Sequence, residues 1–100
     1  MEREITAAIR GKKLIEVVYE GQRRLAEPHV LGRRGRDDHL QVHAFQLRNH
    51  SQPLSRPGWR FYLLAKIEHL NTSGDNFPGR RSSGSYHHTG WNSVIAIVAP

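Results

Sequence analysis

Five arginines of this chain fall where a charge can be held still. Arg24 and Arg60 each sit inside a run of strand-forming residues, and Arg33, Arg34 and Arg36 crowd a turn punctuated by Gly32 and Gly35. A guanidinium whose stem lies along a sheet is a planar, partly dehydrated fork that suits phosphate or carboxylate, so Arg24 and Arg60 could clamp an anion. Tyr19 and Tyr62 could stack a base or support the guanidinium planes, base stacking being worth about 1–3 kcal/mol per base; both rings equally suit a core with the hydroxyls at its rim. The arginines of the turn could contact phosphates without sequence choice. Against that, Asp37 and Asp38 follow at once and would compensate them.

Other chemistry finds little support. The seven histidines include the adjacent pair His87 and His88, which would point apart in a strand, while His29, His39 and His43 lie in separate segments without metal-ligand spacing. Ser51, Ser55 and Ser82 to Ser85 sit in loop-like stretches with no nucleophile-elbow pattern, and Asp37, Asp38 and Asp75 are not paired on rigid elements. With no cysteine there is neither a disulfide nor a thiolate site. The expectation is a chain without enzymatic activity, metal or cofactor.

The balance of charge favours an acidic partner: 15 Lys plus Arg stand against 9 Asp plus Glu. A basic balance also serves solubility and alone defines no site. The first residues carry acids and no apolar run of the kind a secretory leader has, and no stretch approaches the ~20 apolar residues of a membrane span. The expected setting is the cytoplasm, with no membrane partner.

The elements that must position these residues are short. Ile5, Ala8 and Ile9 form an apolar stripe on a helix ending near Gly11. Leu14 to Tyr19 reads as a strand, Glu20-Gly21 as a turn and Gln22 to Leu31 as its partner, with Leu25 and Glu27 on one face and Arg24, Ala26 and Pro28 on the other. Pro28 cannot donate to a ladder and so marks a strand end, an edge or a bulge. His39 to Leu47 alternates as a third strand, Arg48 to Gly58 is a connection long enough to suggest function, and Trp59 to Leu64 is a fourth strand. Ala65 to Leu70 reads as a tight turn and short fifth strand, and Asn71 to Gly90 as a surface crossing anchored by Phe77. Trp91, Val94, Ile95 and Val98 have helical spacing, which predicts a closing helical turn, although the Val-Ile-Ala-Ile-Val run also fits a strand. Tyr19, Leu40, Val42, Leu64 and Ile67 are the expected core.

The run from Leu14 to Gly32 resembles the opening hairpin of WYL domains, in which a strand ending in Tyr is followed by a turn, an Arg and a Pro. Trp59 to Ile67 resembles the family's later segment, an Arg-x-Phe strand leading through Leu to a basic residue and Ile, with Tyr62 in place of the Phe and Lys66 in place of the Arg. The eponymous Trp-Tyr-Leu triplet is Asp38-His39-Leu40 here, so the likeness is to diverged, free-standing members; most members carry the domain behind a helix-turn-helix. It spans roughly residues 3 to 98, one WYL-like domain. It implies a mostly β fold, an Sm-like or SH3-like five-stranded barrel with a short N-terminal helix, in agreement with the strands read above. It further implies a non-enzymatic regulatory module of transcription, binding nucleic acid or a nucleotide-like anion through Tyr19, Arg24, His43, Arg60 and Tyr62. The rival expectation is a protein-interaction module that dimerises or docks on a separate effector chain by an edge strand or the Trp91 to Val98 segment.

Overall fold

In the computed structural model, which describes residues 1–87 and 90–100, the chain begins with helix α1 (Glu2–Arg10). His88 and Thr89, within the expected surface crossing, lie outside the described residues. The predicted stripe of Ile5, Ala8 and Ile9 is buried, and Glu2, Glu4 and Arg10 set acids at the N-terminal turn and a base at the last, as the helix dipole favours. The chain leaves the helix through Lys12, whose φ of 52° takes the left-handed position while Gly11 stays helical. None of the described helices is long and apolar enough to cross a membrane.

Among the described residues six strands follow: β1 (Lys13–Tyr19), β2 (Gln22–Arg34), β3 (His39–Asn49), β4 (Gly58–Leu63), β5 (Ile67–Asn76) and β6 (Ser93–Ile97), with a 3-10 turn at Leu64–Lys66 between β4 and β5. All pair antiparallel, in the order β4-β3-β2-β1-β5, and β6 joins β2. The 13-residue β2 organises the rest. One of its edges carries β3 along most of its length; the other carries β1 up to Ala26 and then β6 from Val30. Pro28 stands in the gap between those two partners, where its missing N–H costs no ladder bond, and a bulge at His29 follows.

Two boundaries differ from expectation for the same reason. The closing segment is strand, not helix: β2 would otherwise leave the second half of one edge unpaired, and a β-branched run this short has little helical stability of its own. Likewise β5 continues through the polar residues Asn71 to Asn76, expected as loop, because the free edge of β1 pairs with Thr72 and Asn76. Arg33 and Arg34 belong to the end of β2, leaving only Arg36 in the turn proper.

Tyr19, Val42 and Ile67 are buried and Leu40 and Leu64 pack against them, so the expected core forms, joined by Leu31, Tyr62, Ala96 and Val98. The sheet curls around this core without closing; among the described residues β4 and β5 share no ladder. A side chain bridges that seam instead, since the Tyr19 hydroxyl of β1 accepts from the Leu63 N–H of β4 at 3.2 Å. At the other flank, a Cβ on Gly32 would run into the Ser93 carbonyl and the Trp91 ring, so only glycine admits β6 and the indole here. Tyr19→Phe should therefore cost about 1 kcal/mol and Gly32→Val more than ~2 kcal/mol in urea unfolding, the first by orphaning one N–H and the second by displacing β6. Equal stability of Gly32→Val and wild type would show that β6 docks without this close approach.

Candidate nucleic-acid interface

Tyr19, Arg24 and Tyr62 come together, but on the inner face. The Arg24 guanidinium lies 5.5 Å from the Tyr19 ring centroid and 5.7 Å from that of Tyr62, and only 9% of the residue is exposed. It donates to Gln46 Oε1 at 3.2 Å, to the Tyr19 carbonyl at 3.3 Å and to Gln22 Oε1 at 3.1 Å, while the exposed Glu20 carboxylate stands 3.9 Å away. Tyr62 donates to the same Gln46 oxygen at 2.8 Å, and burial pushes its phenol pKa up against the opposing charges of Arg24 and Arg60. Arg60 turns its guanidinium to the chain itself, donating to the Trp59 and Arg56 carbonyls at 3.0 and 3.2 Å. Both arginines thus flank Tyr62 with their two terminal nitrogens bonded to internal oxygens, while Arg24 Nε is buried without a partner among the described residues.

His43 points the other way. β3 and β4 pair His43 with Phe61 and Phe45 with Trp59, and on their outer face these rings form a file. Phe61 stacks on His43 at 4.2 Å and 12°, His43 on Trp59 at 4.6 Å and 29°, and Trp59 meets Phe45 edge to face at 5.4 Å. An arginine caps each end: Arg34 lies 3.9 Å over Phe61 and Arg81 lies 3.8 Å over Phe45. Burial first, and then the fields of His29 and Arg34, lower the His43 pKa to about 4, so at neutral pH His43 is an uncharged ring in the stack.

At the end of the β2–β3 hairpin the structure changes the expected charge balance. Asp37 sits 3.9 Å from His39, and the Asp38 carboxylate accepts from Asn92 at 3.0 Å. Among the described residues neither carboxylate pairs with Arg33, Arg34 or Arg36. Among the described residues the Arg33 side chain donates to the Asp38 carbonyl at 3.2 Å, and Arg34 donates through Nε to the Gly90 carbonyl at 3.3 Å. Arg34 lies against both Phe61 and Trp91, whose centroid is 5.4 Å from it, and among the described residues its terminal N–H groups have no acceptor. Phe61 and Trp91 were not legible as site residues from motif matching, although strand alternation places Trp59 and Phe61 opposite the buried Tyr62.

Residues 77–87 cross this outer face and are fastened by a network centred on the buried Glu27 and His29. Arg81 donates to both oxygens of Glu27 at 2.7 and 2.8 Å. An ionised Glu27 only accepts, so the His29 Nε2–H donates to it at 3.0 Å. His29 Nδ1 then accepts from the Tyr86 hydroxyl at 2.8 Å, whose oxygen accepts the Arg81 N–H at 2.8 Å. Both carboxylate oxygens of Glu27, both ring nitrogens of His29 and the Tyr86 hydroxyl thus each have a partner.

No family model, curated protein or solved structure matches the chain. The likeness to WYL domains rests on the sequence runs quoted above.

Burial lowers the His29 pKa against the pull of Glu27; for Glu27 burial raises the pKa, but hydrogen bonds from Arg81 and His29 outweigh it and hold it below the ordinary 4.5. All three groups, His29, His43 and Glu27, therefore bind protons more readily unfolded than folded. Stability is fully present above 6.5, declines as the unfolded histidines protonate toward pH 4, and falls further below 4.5 through Glu27. Melting temperature should drop between pH 7.5 and 5, and His43→Phe should flatten part of that drop; a profile unchanged by the substitution would mean that His43 is not held neutral.

Proposed function

We propose that this protein is a non-enzymatic regulatory binding module that takes a single-stranded nucleic acid or nucleotide-like anion on the basic, aromatic end of the β2–β3 hairpin. The observation that carries the reading is Arg34, held over Phe61 at 3.9 Å with terminal donors that have no acceptor among the described residues. An anion contact there needs no reordering of a long side chain, which removes an entropic cost of binding. Arg36, in the turn beyond it, has no carboxylate partner among the described residues, and Arg33 leaves the same strand end on the opposite face. Both faces of Phe61 are covered, by His43 and Arg34, so its exposed rim and the half-buried Trp91 supply the apolar contact with a base. The WYL resemblance supports the same class of ligand, with the site moved from Arg24 and Arg60 to Arg34 and its neighbours.

A second reading follows from the outer edge of β4, which among the described residues pairs with β3 alone, and from the exposure of Phe61 on that strand: a partner chain, or a second copy, could add a strand there. Salt separates the two. In fluorescence anisotropy with a labelled single-stranded oligonucleotide, affinity should fall steeply with salt. The double change Arg34→Ala with Arg36→Ala should weaken binding at least tenfold and reduce the slope by roughly 1.4, twice the single-strand value of about 0.7 per phosphate. Arg24→Ala should instead lower stability. Binding that is indifferent to the Arg34 and Arg36 changes would remove the hairpin end from consideration.

A further inference from the structure

A groove at the opposite end of the β2–β3 hairpin carries a separate set of donors. Strand register sets Arg23 of β2, Val18 of β1 and His69 of β5 side by side, with Val18 as the shared neighbour of the other two. At strand spacings of about 4.8 Å, Arg23 and His69 stand roughly 10 Å apart across an apolar floor. His50 extends the row beyond Arg23, its N–H donating to the Arg23 carbonyl at 2.7 Å. These residues line one cavity, together with Glu16 and Asn71 from the next row.

The loop after β3 is built to keep His50 in place. Asn49 Oδ1 accepts the N–H groups of Ser51 and Gln52, both at 3.0 Å, while its amide donates to Gln22 Oε1 at 2.7 Å. The Ser51 hydroxyl accepts the Arg23 N–H at 3.0 Å, so the loop and the strand are tied at the very residue that lines the groove. This is the start of the long connection singled out by its length. Among the described residues the side chains of Arg23, His50 and His69 have no hydrogen-bond or ion-pair partner. The single carboxylate of the lining, Glu16, belongs to the row of Leu25 and Asn71 and not to that of the donors.

We propose that this groove binds a phosphate group with three free oxygens, either a terminal monoester or inorganic phosphate. Three donor side chains approach from three elements, which matches three terminal oxygens and close to two negative charges; an internal phosphodiester offers two oxygens and one charge. Val18 forms the apolar floor between Arg23 and His69, and the three donor residues line the same cavity. The site is independent of the Arg34 surface, since the two lie at opposite ends of the same hairpin.

Titration of the 15N-labelled protein with inorganic phosphate tests this. Saturable amide shifts should centre on Arg23, His50, His69 and Asn71, and Arg23→Ala and His69→Gln, both at exposed positions, should each weaken binding about tenfold, the loss of one charged hydrogen bond. Arg34→Ala should leave phosphate binding unchanged. Competition by a 5′-phosphorylated but not a 5′-hydroxyl oligonucleotide assigns the ligand as a monoester, and absence of competition assigns it as the free anion. Shifts centred on Arg33 to Arg36, no saturation, or undiminished binding in folded Arg23→Ala and His69→Gln proteins would each overturn the proposal. Loss of phosphate binding by Arg23→Ala with retained affinity for the 5′-hydroxyl strand keeps this result separate from the hairpin-end reading.

Discussion

The structure depends on how β2 satisfies the backbone of its 13 residues. Every N–H and C=O of a buried strand needs a partner, and one neighbour cannot supply them along a strand this long in so small a protein. Here the unsatisfied edge changes hands, from β1 to β6, across Pro28 and His29. Proline tolerates that gap because it has no donor to lose. The bulged His29 then sends its ring to the side of Glu27, where Trp59, Phe77 and Tyr86 surround it.

Two unlike layers result. On the inner face, aliphatic side chains and the Tyr19–Tyr62 pair fill the core under α1. On the outer face, a buried carboxylate and imidazole would be costly if left alone, and the crossing segment supplies Arg81 and Tyr86 to satisfy them. Removing one partner would strand a charge, which is why so polar a network can fasten a segment otherwise poor in apolar residues. With that segment in place, Trp91 lies on Gly32 and closes one side of Arg34. The binding surface proposed here is thus assembled from residues on both sides of the network.

Much of the fold was readable where pattern and backbone demand coincide. The hairpin at Glu20-Gly21 forms with both residues at positive φ, the apolar stripe of α1 is buried, and the alternation of β3 divides Val42 and Ala44 from His43 and Phe45 as the sequence suggests. It was less readable where a distant edge decides: Asn71 to Asn76 have poor strand propensity, and Val94 to Val98 fit two periods, yet each segment becomes strand because an open partner awaits it. Charge was the least readable quantity. Asp37 and Asp38 adjoin the arginines in sequence but turn to His39 and Asn92 in space.

The contrast between Arg24 and Arg34 shows why residue type and strand placement could not locate a site. Ten positions apart on one regular strand, the two side chains would share a face. Arg24 does face inward, in line with Ala26, and spends its donors on Gln46, Gln22 and the Tyr19 carbonyl. The extra residue at His29 reverses the alternation, so that beyond it Leu31 points to the core and Arg34 emerges on the aromatic face. One unpaired residue therefore decides which arginine is a structural cation and which is offered to solvent. A motif match carries the arginine but not the bulge, and the bulge is what assigns its role.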